Sequence, residues 1–211
     1  MQVRAPVETQ AAPGRSSLSS VSSVRTSELR LQSKNVSDGS TEWHAFSAGT
    51  VTQPSHTVLV FVPTVADLNA IKAKQQLAIS AESSFFVISS DFVSDLNGNA
   101  VVSIGNSSAL LVSQYTADTT QPKLTSFDLD MNAGVLRMVF GETVDAATLQ
   151  PAFVILQDNQ TEGVDFVLTG GARSTTDSTD VSINITAVDL NEILLWRVQT
   201  APHSSGSDLP R

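Results

Sequence analysis

Apolar residues recur mostly at every second position. In FDLDM (127–131) Phe127, Leu129 and Met131 share one face, while Asp128 and Asp130 share the other. In VLRMVF (135–140) Leu136, Met138 and Phe140 alternate with Arg137 and Val139. In VSINI (181–185) Val181, Ile183 and Ile185 alternate with Ser182 and Asn184. Successive side chains of an extended chain point to opposite faces of a sheet, so a period of two marks strands with one buried face. Turn residues separate the runs. Asn132-Ala133-Gly134 predicts a short hairpin turn with Gly134 at positive φ, and Asn97-Gly98 is a stronger signal of the same kind. Short strands at roughly ten-residue spacing, with turns between them, predict an all-β chain built as β-sandwiches.

One motif breaks this period and occurs twice. TVADLNAIK (64–72) returns as TAVDLNEIL (186–194). Thr64 with Asp67, and Thr186 with Asp189, have the spacing of a capping box. In such a box the hydroxyl accepts from the N3 amide, and the carboxylate reaches back to the amide of the cap residue. Leu68 with Ile71, and Leu190 with Ile193 and Leu194, then lie on one helical face. The motif predicts one short helix per copy, closing one end of each sandwich. A ligand role for Asp67 and Asp189 is the minor alternative.

The likeness extends beyond the helix. At the offset that carries Asp67 onto Asp189, Phe46 falls on Leu168, Ser47 on Thr169 and Gly49 on Gly171. With a small length change, ELRLQS (28–33) falls on FVILQD (153–158). Three segments in matching order point to a tandem of whole domains, since the period is too long for a solenoid. The polar stretch TADTTQPKL (116–124) reads as the joint. The expected organisation is a disordered Ser-rich segment at 1–25, a module at 26–117, a second at 118–196, and a disordered tail at 197–211. Both modules read as truncated. The first lacks a counterpart of the 127–140 hairpin, and the second lacks counterparts of FVSDLNGNAVVSI (92–104) and ALLVSQY (109–115). The chain therefore reads as a piece of a longer array or as an unusual gene product.

Charge and composition narrow the functional classes. With 12 basic and 21 acidic residues the net charge is −9, which opposes binding to nucleic acid and to anionic lipid. Absence of cysteine excludes disulfides and thiolate chemistry. No apolar run approaches the ~20 residues needed to span a bilayer as a helix. MQVRAPVETQAAPGRSS has no apolar core, so no signal peptide is expected within this chain.

ADTTQPKLTSF (117–127), followed by a hairpin and FGETVDAATLQ (140–150), resembles the opening of a bacterial-type Ig-like repeat. FVSDLNGNAVVSI resembles that family's closing hairpin. Such modules occur in S-layer proteins and large surface adhesins. The resemblance covers about residues 26–195. It implies Ig-like sandwiches serving as spacer or adhesive modules at the cell surface or outside the cell, and it carries no catalytic residue across.

Candidate chemistry is sparse. Asp128, Asp130 and Asn132, and likewise Asp95, Asn97 and Asn99, have the i, i+2, i+4 oxygen-ligand spacing of the first half of a calcium loop. Neither run has the later bidentate Glu, and such residues more often form turns by bonding their own backbone. Calcium is the one cofactor the sequence suggests. Asn35, Asn106, Asn159 and Asn184 begin N-x-S/T triplets, which matter only for an exported eukaryotic product. Trp43 and Trp196 could stack on sugars, although packing is the commoner use of such residues. His44, His56 and His203 accompany no nucleophile motif, so no catalytic residue is assigned.

The expected function is a non-catalytic structural or adhesive spacer, partnered by neighbouring Ig-like modules and by a cell-surface protein or glycan. A carbohydrate-binding sandwich appended to an adhesin or enzyme is the alternative. A hydrolase with a dispersed site has no motif behind it. Incomplete modules expose unpaired strand edges, and exposed edges invite association. The isolated chain is therefore expected to dimerise or aggregate, with strand lending between copies as one route, as checked by sedimentation at high concentration.

Overall fold

The computed structural model describes residues 24–157 and 165–199. With 39% strand and 18% helix, the protein is mainly β, with few helices. It divides into two compact units, Met1–Gln121 and Pro122–Arg211.

In the first unit the strands are β1 (Leu29–Gln32), β2 (Trp43–Ala45), β3 (Gly49–Ser55), β4 (Val58–Pro63), β5 (Phe85–Ile88) and β6 (Leu110–Leu111). Helix α1 (Val65–Lys72) follows β4. One antiparallel sheet has the order β2-β1-β5-β6, and β3 and β4 form a separate hairpin. Leu29 and Leu31 point into the core on either side of the half-buried Arg30, as alternation requires. They meet Phe46, Phe61, Ile71, Ile88 and Phe92 there. Phe46 packs edge-to-face on Phe61 at 5.1 Å between ring centres, a favoured aromatic geometry. Pro54, which has no N–H to offer, lies where the β3–β4 register shifts between Thr52 and Ser55.

In the second unit the strands are β7 (Leu124–Asp130), β8 (Val135–Val144), β9 (Ile155–Gln157), β10 (Asp165–Val167), β11 (Gly171–Arg173) and β12 (Ser178–Ile185). They are followed by α2 (Ala187–Gln199). The larger sheet has the order β11-β12-β8-β7, and β10 pairs with β9. The β7–β8 turn forms as its residues predict. Asp130 accepts from the amides of Asn132 and Ala133, both at 2.9 Å, and Gly134 takes φ +66°. The core comprises Leu136, Met138, Ala146, Leu168, Val181, Ile183, Ile185 and Ile193. Phe127 departs from its expected burial. It lies opposite Met138 on β7, which pairs with β8 alone among the described strands, and is 57% exposed. Leu194, expected on the apolar face of α2, is 44% exposed at its rim.

Three boundaries differ from the sequence expectation. Val24 and Arg25 belong to the folded first unit rather than to a disordered leader. Val24 packs against the core, and the Arg25 amide donates to Phe92 O at 2.9 Å. Residues 197–199 continue α2 instead of beginning a tail, since no Gly or Pro interrupts the helix before Pro202. Asp118, expected to open the second module, belongs to the first unit and pairs with Lys72 at 2.5 Å. The TVADLNAIK motif is also not the only helical feature, because short 3-10 turns precede β1, β5 and β9.

The units are open in complementary places. In the second, β12 lies between β11 and β8. In the first, β4 pairs with β3, and among the described strands none pairs with its other side. Conversely β1 lies between β2 and β5, whereas β9 pairs with β10 alone among the described strands.

Gly49 and Gly171 begin β3 and β11 at matched places. A Cβ on Gly49 would collide with the Phe61 ring and approach Val62 O at 2.5 Å. On Gly171 it would meet Asn184 O at 2.6 Å. Gly171 also has φ +143°, which L-residues avoid. Gly171→Ala is expected to destabilise the second unit by about 2 kcal/mol or more, measured by chemical denaturation.

Candidate functional site

Among the described residues, the buried carboxylate in each unit is the Asp of the repeated motif. Thr64 caps α1, and its Oγ1 accepts from the Asp67 amide at 3.1 Å. The Asp67 carboxylate, in a residue only 3% exposed, does not return to its own cap amide as a capping box would have it. It turns to the loop between β2 and β3. Oδ1 accepts from the Ser47 amide at 3.1 Å and lies 2.9 Å from His44 Nε2. Oδ2 accepts from Ser47 Oγ at 3.0 Å, Thr64 Oγ1 at 2.8 Å and the Ala48 amide at 3.4 Å. The reason is positional: a carboxylate shut off from water needs several donors, and the loop offers two amides and a hydroxyl.

The second unit makes the same connection. Thr186 Oγ1 accepts from the Asp189 amide at 3.1 Å. Asp189, 1% exposed, accepts from the Thr169 amide at 3.2 and 3.1 Å and from Thr169 Oγ1 at 2.8 Å. Phe46 and Leu168, the residues just before Ser47 and Thr169, are both buried. Each Asp thus ties its helix to the loop that follows a core residue.

Burial pushes the Asp67 carboxyl upward. Hydrogen bonds from His44, the Ser47 amide, Thr64 and the Ser47 hydroxyl outweigh it and hold the group well below the usual carboxylate range. Asp67 therefore stays ionised. Ser47, Asp67 and His44 are the constituents of a hydrolytic triad in the wrong order. The carboxylate stands between the hydroxyl and the imidazole, so Ser47 donates to Asp67, and the imidazole is not positioned to take its proton. The arrangement positions a helix.

Of the expected calcium ligands, Asp95 and Asp130 accept from amides of their own turns. Asp95 Oδ1 accepts from the Asn97 and Asn99 amides at 2.9 and 2.8 Å, and Oδ2 from Asn99 Nδ2 at 2.8 Å. The Asn99 side chain and amide draw the Asp95 carboxyl below its ordinary pKa. Asn97 and Asn99 are exposed. Asp128 lies opposite Arg137 in the β7–β8 register, with 3.9 Å between the charged groups. Asp130 accepts from its own turn, and Asn132 is exposed beside it. Among the described residues no three His, Asp or Glu side chains gather as a metal site.

Of the sequon asparagines, Asn106 is exposed in a turn and Asn184 is exposed on β12. Asn35 is exposed, but its Nδ2 donates to Ala109 O at 2.7 Å. Asn159 lies outside the described residues, as do His203 and the side chain of Trp196. Trp43 is 49% exposed, with the Arg30 guanidinium 4.4 Å from its ring centre. His56 is exposed in the β3–β4 turn. A cavity of ≈ 680 Å³ in the first unit is lined by Leu68, Ile71, Leu77, Tyr115, Lys72 and Asp118. The hydrogen bond from Lys72 brings the Asp118 carboxyl down to about 2. Tyr115 Oη donates to Ala78 O at 2.8 Å.

His44 carries no sequence signal as a partner of Asp67. The matched place in the second unit holds Phe166, so the repeat gave no hint of it. The Ser47–Asp67 link did leave a trace, because Ser47 and Asp67 recur together as Thr169 and Asp189. Comparison with family models, with curated proteins and with solved structures gave no match.

Asp67→Asn replaces an acceptor with an amide that cannot receive all these donors, and is expected to destabilise the first unit by about 3 kcal/mol. A pH series gives a second check. Because the folded carboxyl lies below the unfolded value of about 3.9, the unfolded chain takes up the proton first. The contribution is complete above about pH 5 and declines as pH falls through the unfolded pKa and below. Asp67→Asn should flatten that part of the stability profile, as read by denaturant midpoints.

Proposed function

We propose that the chain is a pair of Ig-like β-sandwich modules, both incomplete, from a longer cell-surface or extracellular protein, and that it acts as a non-catalytic structural or adhesive spacer. The supporting observation is that Asp67 with Ser47 and Asp189 with Thr169 make the same buried helix-to-loop connection in two successive units. What is repeated is a device for holding a shape. Duplication of such a device suits a protein whose task is reach and stiffness, since each module adds length and each helix is fixed to its own sheet. Neighbouring modules are the first partners in this reading, and a surface protein or glycan is the outer one.

The spacer is proposed to work without calcium. At Asp95 and Asp130 the turn amides already supply donors to the carboxylates, so the turns are held by the chain itself. Exposed Asn106 and Asn184 are the sequons best suited to carry glycans if the protein is exported from a eukaryote. The carbohydrate-binding alternative draws on the half-exposed Trp43, but a sugar stacking there would compete with Arg30 for the ring.

Single-molecule pulling on the whole chain is expected to give two separate unfolding events, with Asp67→Asn weakening one and Asp189→Asn the other. A glycan array and a panel of ester and peptide substrates should both be negative. A specific sugar lost on Trp43→Ala would replace the spacer with the carbohydrate-binding reading. Turnover abolished by Ser47→Ala would overturn the non-catalytic assignment.

A further inference from the structure

Strand β1 turns Leu29 and Leu31 into the core, and Arg30 and Gln32 therefore share the opposite face of the sheet. Gln32 is nonetheless 0% exposed. Its Nε2 donates to the carbonyls of Lys34, Asn35 and Asn106 at 2.7, 3.3 and 3.1 Å. Turning the amide over would aim Oε1 at three carbonyl oxygens, so the surroundings fix its orientation. In that orientation Oε1 is buried, and no group among the described residues donates to it.

Arg30 presents the converse. Its guanidinium lies over Trp43, and Nη2 donates to Ser37 Oγ at 3.4 Å. Nε, however, is buried and meets no acceptor among the described residues. Burial lowers the Arg30 pKa from its ordinary value, as expected of a guanidinium partly withdrawn from water. The neighbouring strands supply no remedy. Register places Trp43 and Phe85 beside Gln32, and Ala45 and Val87 beside Arg30. The one polar side-chain atom among these four is the Trp43 indole N–H, a donor that cannot serve Nε. A buried acceptor and a buried donor, each costly to leave unpaired, thus lie two residues apart on one strand face.

We propose that the first unit holds one buried water between these side chains, accepting from Arg30 Nε–H and donating to Gln32 Oε1. The chemistry selects water. The ligand must accept on one side and donate on the other. The guanidinium repels a cation, and Oε1 with the three carbonyl oxygens around the amide repels an anion. A direct bond between the two side chains is short of reach. Two residues along a strand advance about 6.6 Å, whereas one hydrogen bond spans ~2.9 Å and a bridging water supplies two. Leaning together would cost Arg30 its contacts with Trp43 and Ser37, and Gln32 its three carbonyls. The second unit offers no such pair, because Gln157, the match of Gln32, is exposed and donates to Asp165.

The test is water-to-protein cross-relaxation in the NMR spectrum of the whole chain, beside a crystal structure that resolves individual waters. The Arg30 Nε–H is expected to show a water cross-peak with the sign of a molecule tumbling with the protein. The crystal is expected to show one water about 2.7–3.2 Å from both Nε and Oε1. A missing cross-peak, a direct Nε–H to Oε1 bond, or either atom open to bulk solvent would overturn the proposal. Arg30→Met keeps much of the side chain's length and removes the donor. It is expected to lower the oxygen-17 relaxation dispersion of the solvent by the amplitude of one long-lived water, with an unchanged circular dichroism spectrum. A folded variant that keeps the full amplitude would overturn the shared site. If the variant fails to fold, the wild-type cross-peak decides: its bound sign supports the water, and its absence refutes it.

Discussion

A carboxylate shut away from water must be satisfied by several donors, and in both units that requirement decides how helix and sheet meet. Asp67 and Asp189 are buried, and loop amides and hydroxyls surround them. The requirement is stringent because losing any one donor leaves the charge undersolvated. α1 has eight residues, fewer than an isolated helix needs to persist in water. Its place is determined by the cap on Thr64, by Ile71 in the core and by the carboxylate that reaches the Ser47 loop. The same loop leads directly into Gly49, whose lack of a side chain lets β3 come against Phe61. Helix, loop and hairpin thus share one polar anchor.

Around that common anchor the two units are completed by different neighbours. Buried Gln32 in the first unit donates to the carbonyls of Lys34, Asn35 and Asn106, so the segment leading to β6 is tied back to β1. Gln157, its match, is exposed and donates to Asp165 on the neighbouring strand. The second unit instead has β7 and β8 to cover β12, and Leu136 and Met138 join Val181 and Ile183 in the core. Each unit carries a pair of strands whose counterpart the other unit does not show among its described residues. This is why Phe61 and Ile183 are buried alike, while the strand edges beside them differ.

The sequence was least informative where one residue type serves two purposes. Asp and Asn at alternate positions suit both a cation and a tight turn, because either use needs short side-chain oxygens close to the backbone. Spacing alone could not distinguish them. In the structure, amides of the same turns are directed at the Asp95 and Asp130 carboxylates. Phe127 is a comparable case. Its alternation was read correctly as a strand, but alternation says which face a residue is on, not whether anything covers that face.

Local pattern by itself determined the strands β7, β8 and β12, the Gly134 turn, the capped helix starts at Thr64 and Thr186, and the correspondence between residues 28–72 and 153–194. These follow from neighbours along the chain, so periodicity and turn chemistry carry them. The destination of the Asp67 carboxylate, its meeting with His44 and the open side of β4 were decided only in three dimensions. Each depends on which distant group supplies a hydrogen bond or covers a face. That information lies in the packing of the units, where residues 20 or more positions apart become neighbours.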